Sequence, residues 1–191
     1  MKPSVRGLEL KVMIVSDTHD NLLIIDRLTS YASKLDVGLL LHLGDYVSPF
    51  TLRKILNTNI RFLGIFGNND GDKVLMLKVL GTSGELYEPP VEVNIDSLKV
   101  LMIHGYGSKE LTERFVNSLA LSNYYDLIMY GHTHSPKVEK VGRTVILNPG
   151  ALSGYLTELP TLALLNTDEF RLSIIDALSN SVVREFNFKI V

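Results

Sequence analysis

The chain has 191 residues, carries 19 Lys and Arg against 21 Asp and Glu for a formal net charge of -2, is 46% hydrophobic and contains no cysteine. The missing cysteine excludes disulfides, thiolate metal sites and thiol nucleophiles; the balanced charge gives no electrostatic footprint for nucleic acid, and no apolar run approaches the roughly 18 residues of a membrane span. The length suits one domain with a sizeable core, taken as 1–191 with residues 1–8 a short N-terminal extension. The apolar stretch from Leu8 is broken by Glu9 and Lys11 and makes a poor export signal, so a cytoplasmic location is expected.

Residues 8–15 read as a buried strand running into the polar loop Ser16-Asp17-Thr18-His19-Asp20-Asn21. From Leu22 to Leu35, apolar residues recur at the three-to-four spacing of an amphipathic helix. The pattern repeats: a strand over 39–43, the loop Gly44-Asp45-Tyr46, and a helix from Pro49 to Leu56 with proline in its first turn. A third strand over 60–66 leads through Gly67-Asn68-Asn69-Asp70-Gly71-Asp72 to a short helix from Lys73 to Leu80. Strands alternating with helices predict a parallel α/β sheet buried on both faces.

After Gly81 the pattern changes. Glu88-Pro89-Pro90 reads as a turn, 91–95 as a half-exposed strand, and 98–103 as a continuous apolar strand ending at His104-Gly105. Residues 108–121 read as a helix with Ser108 as N-cap and Leu111, Phe115 and Leu119 on one face. A strand over 125–130 delivers Gly131-His132-Thr133-His134. The strand-like segments 138–141, 144–147, 162–166, 170–176 and 182–188, with hairpin-length turns among them, predict a second, largely antiparallel sheet packed on the first.

The chemistry-bearing residues lie in five loops, each directly after an apolar strand: Asp17-Thr18-His19, Gly44-Asp45, Gly67-Asn68-Asn69-Asp70, His104-Gly105 and Gly131-His132-Thr133-His134. The carboxyl ends of parallel strands share one edge, where ligands bind, so these loops are expected to converge. Taken singly, Asp17 reads as a helix cap, Asp45 or Asn68 as a turn residue, and His-x-His as two solvated loop histidines. Their joint occurrence turns the balance toward a metal site. His42 alone among the histidines sits inside a strand pattern, and reads as a buried imidazole hydrogen-bonded near the site.

The convergent set is Asp17, His19, Asp45, Asn68, His104, His132 and His134. Its oxygen and nitrogen donors suit Mn, Zn, Fe, Co or Ni. Seven groups exceed one tetrahedral site but fit two metals about 3.5–4 Å apart if one carboxylate bridges them.

The order Asp-x-His, Gly-Asp, Gly-Asn-x-Asp, His, Gly-His-x-His, running from about residue 10 to 150, resembles the calcineurin-like metallophosphoesterase superfamily, and within it the small prokaryotic phosphodiesterases of the YfcE-like group. The resemblance implies a four-layer αββα sandwich of two mixed sheets flanked by helices. It implies a metal-dependent phosphoesterase, foremost a phosphodiesterase, acting on a small-molecule phosphate ester. The alternatives are a phosphomonoesterase, a nuclease, or a non-catalytic scaffold on the same fold like the retromer subunit. Two divalent ions are implied, manganese foremost, with nickel, zinc, iron or cobalt as alternatives. Asp17, His19, Asp45 and His134 would hold one; Asp45 would bridge to the second, completed by Asn68, His104 and His132. Hydrolysis would then proceed by in-line attack of a metal-activated hydroxide, with no covalent enzyme intermediate.

Two departures from the family pattern matter. Where many members carry Gly-Asn-His-Asp/Glu, this chain has Asn69; an amide donates a hydrogen bond but is no general acid near neutral pH, so good leaving groups are expected. After Asn148-Pro149-Gly150, where relatives often continue with Ser and a nearby Arg, the chain has Ala151, so that loop departs from the family pattern for a phosphate contact. Asn69 and His104 are the candidates nearest the chemistry, with Asp70 orienting the site. Asp20 and Asn21 read as helix caps, and the loops at 46–49, 106–109 and 152–159 as determinants of specificity. Homo-oligomerisation is left open.

Overall fold

The structure is a computed structural model describing residues 2–7 and 10–189. The chain runs β1 (Ser4–Val5), β2 (Lys11–Val15), α1 (Leu22–Leu35), β3 (Leu39–His42), α2 (Pro49–Leu56), β4 (Arg61–Ile65), α3 (Lys73–Leu80), β5 (Gly84–Tyr87), β6 (Val91–Ile95) and β7 (Leu98–Ile103). It continues with α4 (Lys109–Leu121), β8 (Leu127–Tyr130), β9 (Lys137–Val141), β10 (Thr144–Asn148), β11 (Thr161–Asn166), β12 (Arg171–Asp176) and β13 (Val182–Asn187).

Successive side chains of a strand point to opposite faces, and in β2 both faces are apolar. Val12 and Ile14 enter one core, Met13 and Val15 another. A strand of this kind needs a layer on each side. On one side α1, α2 and α3 supply Ile25, Leu28, Leu52 and Met76 against Met13 and Val15. On the other lies a second sheet, whose Met102, Met129 and Leu147 pack on Ile14 and Leu41. That second sheet is covered in turn by α4, through Val116 and Ala120 against Ile103, Ile128 and Tyr130. The result is the four-layer αββα sandwich.

Both sheets are mixed. The larger has the order β13-β12-β11-β2-β3-β4-β5, with β2 to β5 parallel and β11 to β13 antiparallel; the smaller has the order β1-β6-β7-β8-β10-β9. The C-terminal strands therefore do not form a sheet of their own, as their pattern had suggested. Ala163 of β11 pairs with Ile14 of β2, while Val145 of β10 pairs with Leu127 of β8. Lateral pairing between strands far apart in sequence leaves no mark in local periodicity.

Two strands escaped the pattern, β5 and the two-residue β1, which pairs with β6 and buries Val5. Residues 4–5 are thus part of a sheet rather than an appendage. The part of the expected first strand at residues 8–9 lies outside the described residues. In α4 the buried positions are Thr112, Val116 and Ala120; of the face expected from its larger apolar residues, Leu119 packs on the core while Leu111 and Phe115 face outward. Among the described residues, no helix is long and apolar enough to cross a membrane.

Candidate active site

The five polar loops meet at one end of the sandwich, but not along one sheet edge. Those after β2, β3 and β4 come from the larger sheet, those after β7 and β8 from the smaller. Backbone hydrogen bonds join them within each sheet, from Asp17 N–H to Gly44 O at 3.0 Å and from Gly131 N–H to His104 O at 2.9 Å. Between the sheets, the His132 N–H donates to Asp17 Oδ2 at 3.1 Å. This close approach explains Gly131: a Cβ there would stand 2.1 Å from Ser16 Oγ and 3.0 Å from Asp17 Oδ2.

Five of the seven convergent residues have backbones in the left-handed region: Asp17 (φ 55°), His19 (41°), Asp45 (60°), His132 (68°) and His134 (58°). L-residues other than glycine adopt it at a cost, Asp and His least reluctantly, and such positions concentrate at functional sites. The payoff is convergence. One donor atom each of Asp17, His19 and His134 lie within 4.8 Å of one another, as do those of Asp17, Asp45 and His104. His134 Nε2 is 3.3 Å from Asp17 Oδ1 and 3.2 Å from His19 Nε2. Asn68 Oδ1 lies 3.0 Å from His104 Nε2 and 2.8 Å from His132 Nδ1, and Asp45 Oδ2 lies 3.3 Å from His104 Nε2 and 3.7 Å from His19 Nε2.

The tautomers follow from the far side of each ring. His104 Nδ1–H donates to Leu43 O at 2.7 Å, His132 Nε2–H to Gly107 O at 2.8 Å, and His134 Nδ1–H to Tyr155 O at 3.0 Å. In the neutral ring the inward nitrogen is then an acceptor. Lone pairs of imidazoles, two carboxylates and an amide oxygen face one another, and the buried Asp17 Oδ1 has no hydrogen-bond partner among the described residues. Such a cluster of acceptors is stable only with positive charge among them. Imidazoles that donate their outer N–H to a backbone carbonyl are the usual arrangement around a bound metal, so the residues present fit divalent cations.

Titration reflects the same attraction. Burial opposes charge on His104, but Asp45 and Asp17 outweigh it and raise its pKa; the adjacent Asp17 carboxylate raises that of His134. Burial would raise the Asp45 carboxyl, yet the His104 ring and the Asn69 donors hold it well below the usual carboxylate range.

The neighbouring residues shape this cluster. Asn69 gives Asp45 two hydrogen bonds, from its N–H to Oδ1 at 2.8 Å and from Nδ2 to Oδ2 at 2.7 Å, so its amide is engaged with that carboxylate. Asp70 accepts from the backbone N–H groups of Gly67, Asp45 and Val47 at 2.6, 3.1 and 2.8 Å and ties the two loops together. His42 is fully buried, as its strand position suggested: Nδ1 accepts from Gly44 N–H at 3.2 Å, leaving Nε2–H to donate to Thr18 Oγ1 at 3.1 Å.

Other expectations change. Asp20 Oδ1 accepts from Ser48 N–H, Ser48 Oγ and Thr51 Oγ1, so it caps α2 across the loop instead of α1, the helix that follows it. Asn21 stands at the N-cap of α1 without a side-chain cap bond and donates instead to Ser153 O at 2.9 Å. Tyr46, expected in a specificity loop, is fully buried with its ring stacked on His42 at 3.7 Å, which removes it from any substrate. In the 151–155 segment Ala151 and Leu152 are fully buried, and the segment is pinned by Leu152 N–H to Ser16 O and Ser153 N–H to Asp17 O. Besides that bond to Asp17, its Tyr155 carbonyl orients His134. A contributor missed by sequence reasoning is the fully buried Asn148, whose Nδ2 donates to Gly131 O at 3.1 Å and Thr133 Oγ1 at 3.0 Å and so holds the His-x-His loop. The signal was its place before Pro149-Gly150, where an amide can brace a turn.

A sandwich of this form with carboxylates, imidazoles and an amide gathered at the strand ends defines a class of metal-dependent phosphoester hydrolases. Residues 10–169 match the family model of the calcineurin-like phosphoesterase superfamily domain, and the chain belongs to that superfamily. It is 33% identical over 162 residues to a phosphodiesterase of Methanocaldococcus jannaschii, covering 84% of this chain and 95% of that protein. Among solved structures it is similar to an archaeal phosphodiesterase, with 30% identity, a TM-score of 0.76, and 93% of this chain and 99% of that one covered. The phosphoesterase YfcE of E. coli shares the fold at 20% identity and a TM-score of 0.72, over 94% of this chain and all of that one (100%).

Proposed function

We propose that this single-domain hydrolase is a phosphodiesterase with a two-cation centre, in which Asp17, His19, Asp45 and His134 hold one ion and Asp45, Asn68, His104 and His132 the other. The observation that carries this is the convergence of lone pairs, with the His104, His132 and His134 tautomers set by backbone carbonyls. Bound cations would supply the charge that acidifies a water and neutralises phosphoryl oxygens during P–O cleavage. Asp45 lies between both groups of donors, and the His104 ring together with the Asn69 donors keeps its carboxylate ionised and aligned. Asp70 fixes the loops that present Asp45 and Asn68. With Asn69 engaged on Asp45 and unable to release a proton near neutral pH, substrates whose leaving alcohol is acidic are favoured. The diester preference is supported by the archaeal relative's name, and manganese is the first cation to test.

The test is turnover of bis(para-nitrophenyl) phosphate with and without added manganese, in the unmodified chain and in Asp45→Asn. Manganese-dependent turnover is expected to fall by about 100-fold or more in the variant. Turnover indifferent to both metal and substitution rejects the proposal.

A further inference from the structure

Beside the acceptor cluster lies a cavity of about 440 Å³ with a different chemistry. Its walls are Pro89, Pro90, Ile103, Tyr106, Leu111 and Phe115, apolar apart from the tyrosine hydroxyl. Its volume falls in the range of small-molecule sites. Tyr106, Phe115 and Leu111 are 73%, 47% and 39% exposed, so large apolar side chains face open space here. The outward turn of α4 puts Leu111 and Phe115 there, and the loop before it supplies Tyr106.

The cavity adjoins the catalytic end through one strand of backbone. Gly105, which follows His104, lines it and packs so closely on the ring-bearing side of His132 that a Cβ at Gly105 would come within 2.4 Å of His132 Cβ. The same loop sends the Gly107 carbonyl to His132 Nε2–H at 2.8 Å. The wall is also held in place: Tyr106 N–H donates to the buried Thr112 Oγ1 at 2.9 Å, and that hydroxyl donates back to Tyr106 O at 3.1 Å. This is a preformed apolar cavity sharing a wall with a phosphoryl-binding centre. It holds no charged side chain among its lining residues, so it is unsuited to a second phosphate or a sugar acid.

We infer that this cavity is a substrate subsite that receives an uncharged, aromatic-ring-bearing ester group of the phosphodiester, seated against Leu111 and Phe115 while the phosphoryl group sits at the histidines. The inference rests on the hydrolase reading above and identifies the class of group the substrate carries.

The test compares benzyl- and phenylphosphonate with methylphosphonate as ligands of the zinc-loaded protein, following the Ile103 methyl signals by NMR so that the result does not depend on turnover. The aromatic phosphonates are expected to shift Ile103 and to bind about tenfold or more tightly than methylphosphonate, as burial of a ring face predicts. In Leu111→Asn/Phe115→Gln that ratio is expected to fall to about twofold; both positions are exposed, and Phe115→Gln alone serves if the double variant does not fold. Equal affinities, or an aromatic preference that survives the substitutions, overturn the inference. So does sedimentation showing a dimer that the same substitutions dissociate, since the cavity would then be covered by a second copy. Absent turnover of bis(para-nitrophenyl) phosphate would count against the hydrolase reading alone, because the phosphonate ratio is read separately.

Discussion

His132 and His134 stand two positions apart with rings turned to different neighbours. His132 Nδ1 meets Asn68 Oδ1, while His134 Nε2 meets Asp17 Oδ1 and His19 Nε2. Left-handed backbone at both positions makes this fork from a two-residue spacing. His132→Ala and His134→Ala are each expected to retain about one of the two cations, with different residual affinities by calorimetry; loss of both from either variant would show the sites are not divided in this way. His42 carries a separate consequence. Burial, the leading cause, brings its pKa down to about 3, so it stays neutral in the folded chain while the unfolded chain takes up a proton below the ordinary histidine value. Where the unfolded state binds more protons, stability falls as pH falls. In metal-free protein, the stability advantage of the unmodified chain over His42→Gln is expected to shrink by about 2 kcal/mol between about pH 7 and about pH 5, measured by denaturant unfolding. An advantage independent of pH would mean that His42 is not held neutral.

At the scale of elements, the loops that build the site are short and braced by their neighbours. Asp20 caps α2 from the loop before α1, and Asp70 binds backbone from the loop before α2. Sequence reasoning placed α1, α2 and α3 at their observed bounds because proline at the start of α2 and the apolar spacings are local signals. It misjudged part of the inward face of α4: Val116 and Ala120 pack on β7 and β8 beside Leu119, and Thr112 is held by the Tyr106 backbone, a loop contact that helix periodicity does not carry. The cap of α4 was legible: Ser108 Oγ accepts from Leu111 N–H at 3.2 Å. Ser108→Ala is expected to cost about 1 kcal/mol, a fall of about 2–4 °C in melting temperature. An unchanged melting temperature would show that water replaces the cap without loss.

For the whole molecule, the site is where the two sheets are joined at one end, with donor atoms from both facing one another there. Manganese at about 100 times its dissociation constant is expected to stabilise the chain by about 2.7 kcal/mol per site. That gain should be readable as a rise in melting temperature that chelator reverses and Asp45→Asn largely removes. A melting temperature unaffected by manganese would separate the cluster from cation binding.

The residue types at the five strand ends, their order and their donor chemistry were determined by the sequence alone, because each lies directly after a local apolar run and imidazole, carboxylate and amide carry their chemistry wherever they are placed. The strand and helix segments were legible for the same local reason. Only tertiary structure decided that the five loops come from two sheets, that β10 joins β8 while β11 joins β2, and which ring nitrogen each histidine turns inward. Those outcomes depend on lateral pairing and on carbonyls such as Leu43, Gly107 and Tyr155, distant in sequence from the rings they orient. Contacts between remote segments leave no periodicity to read.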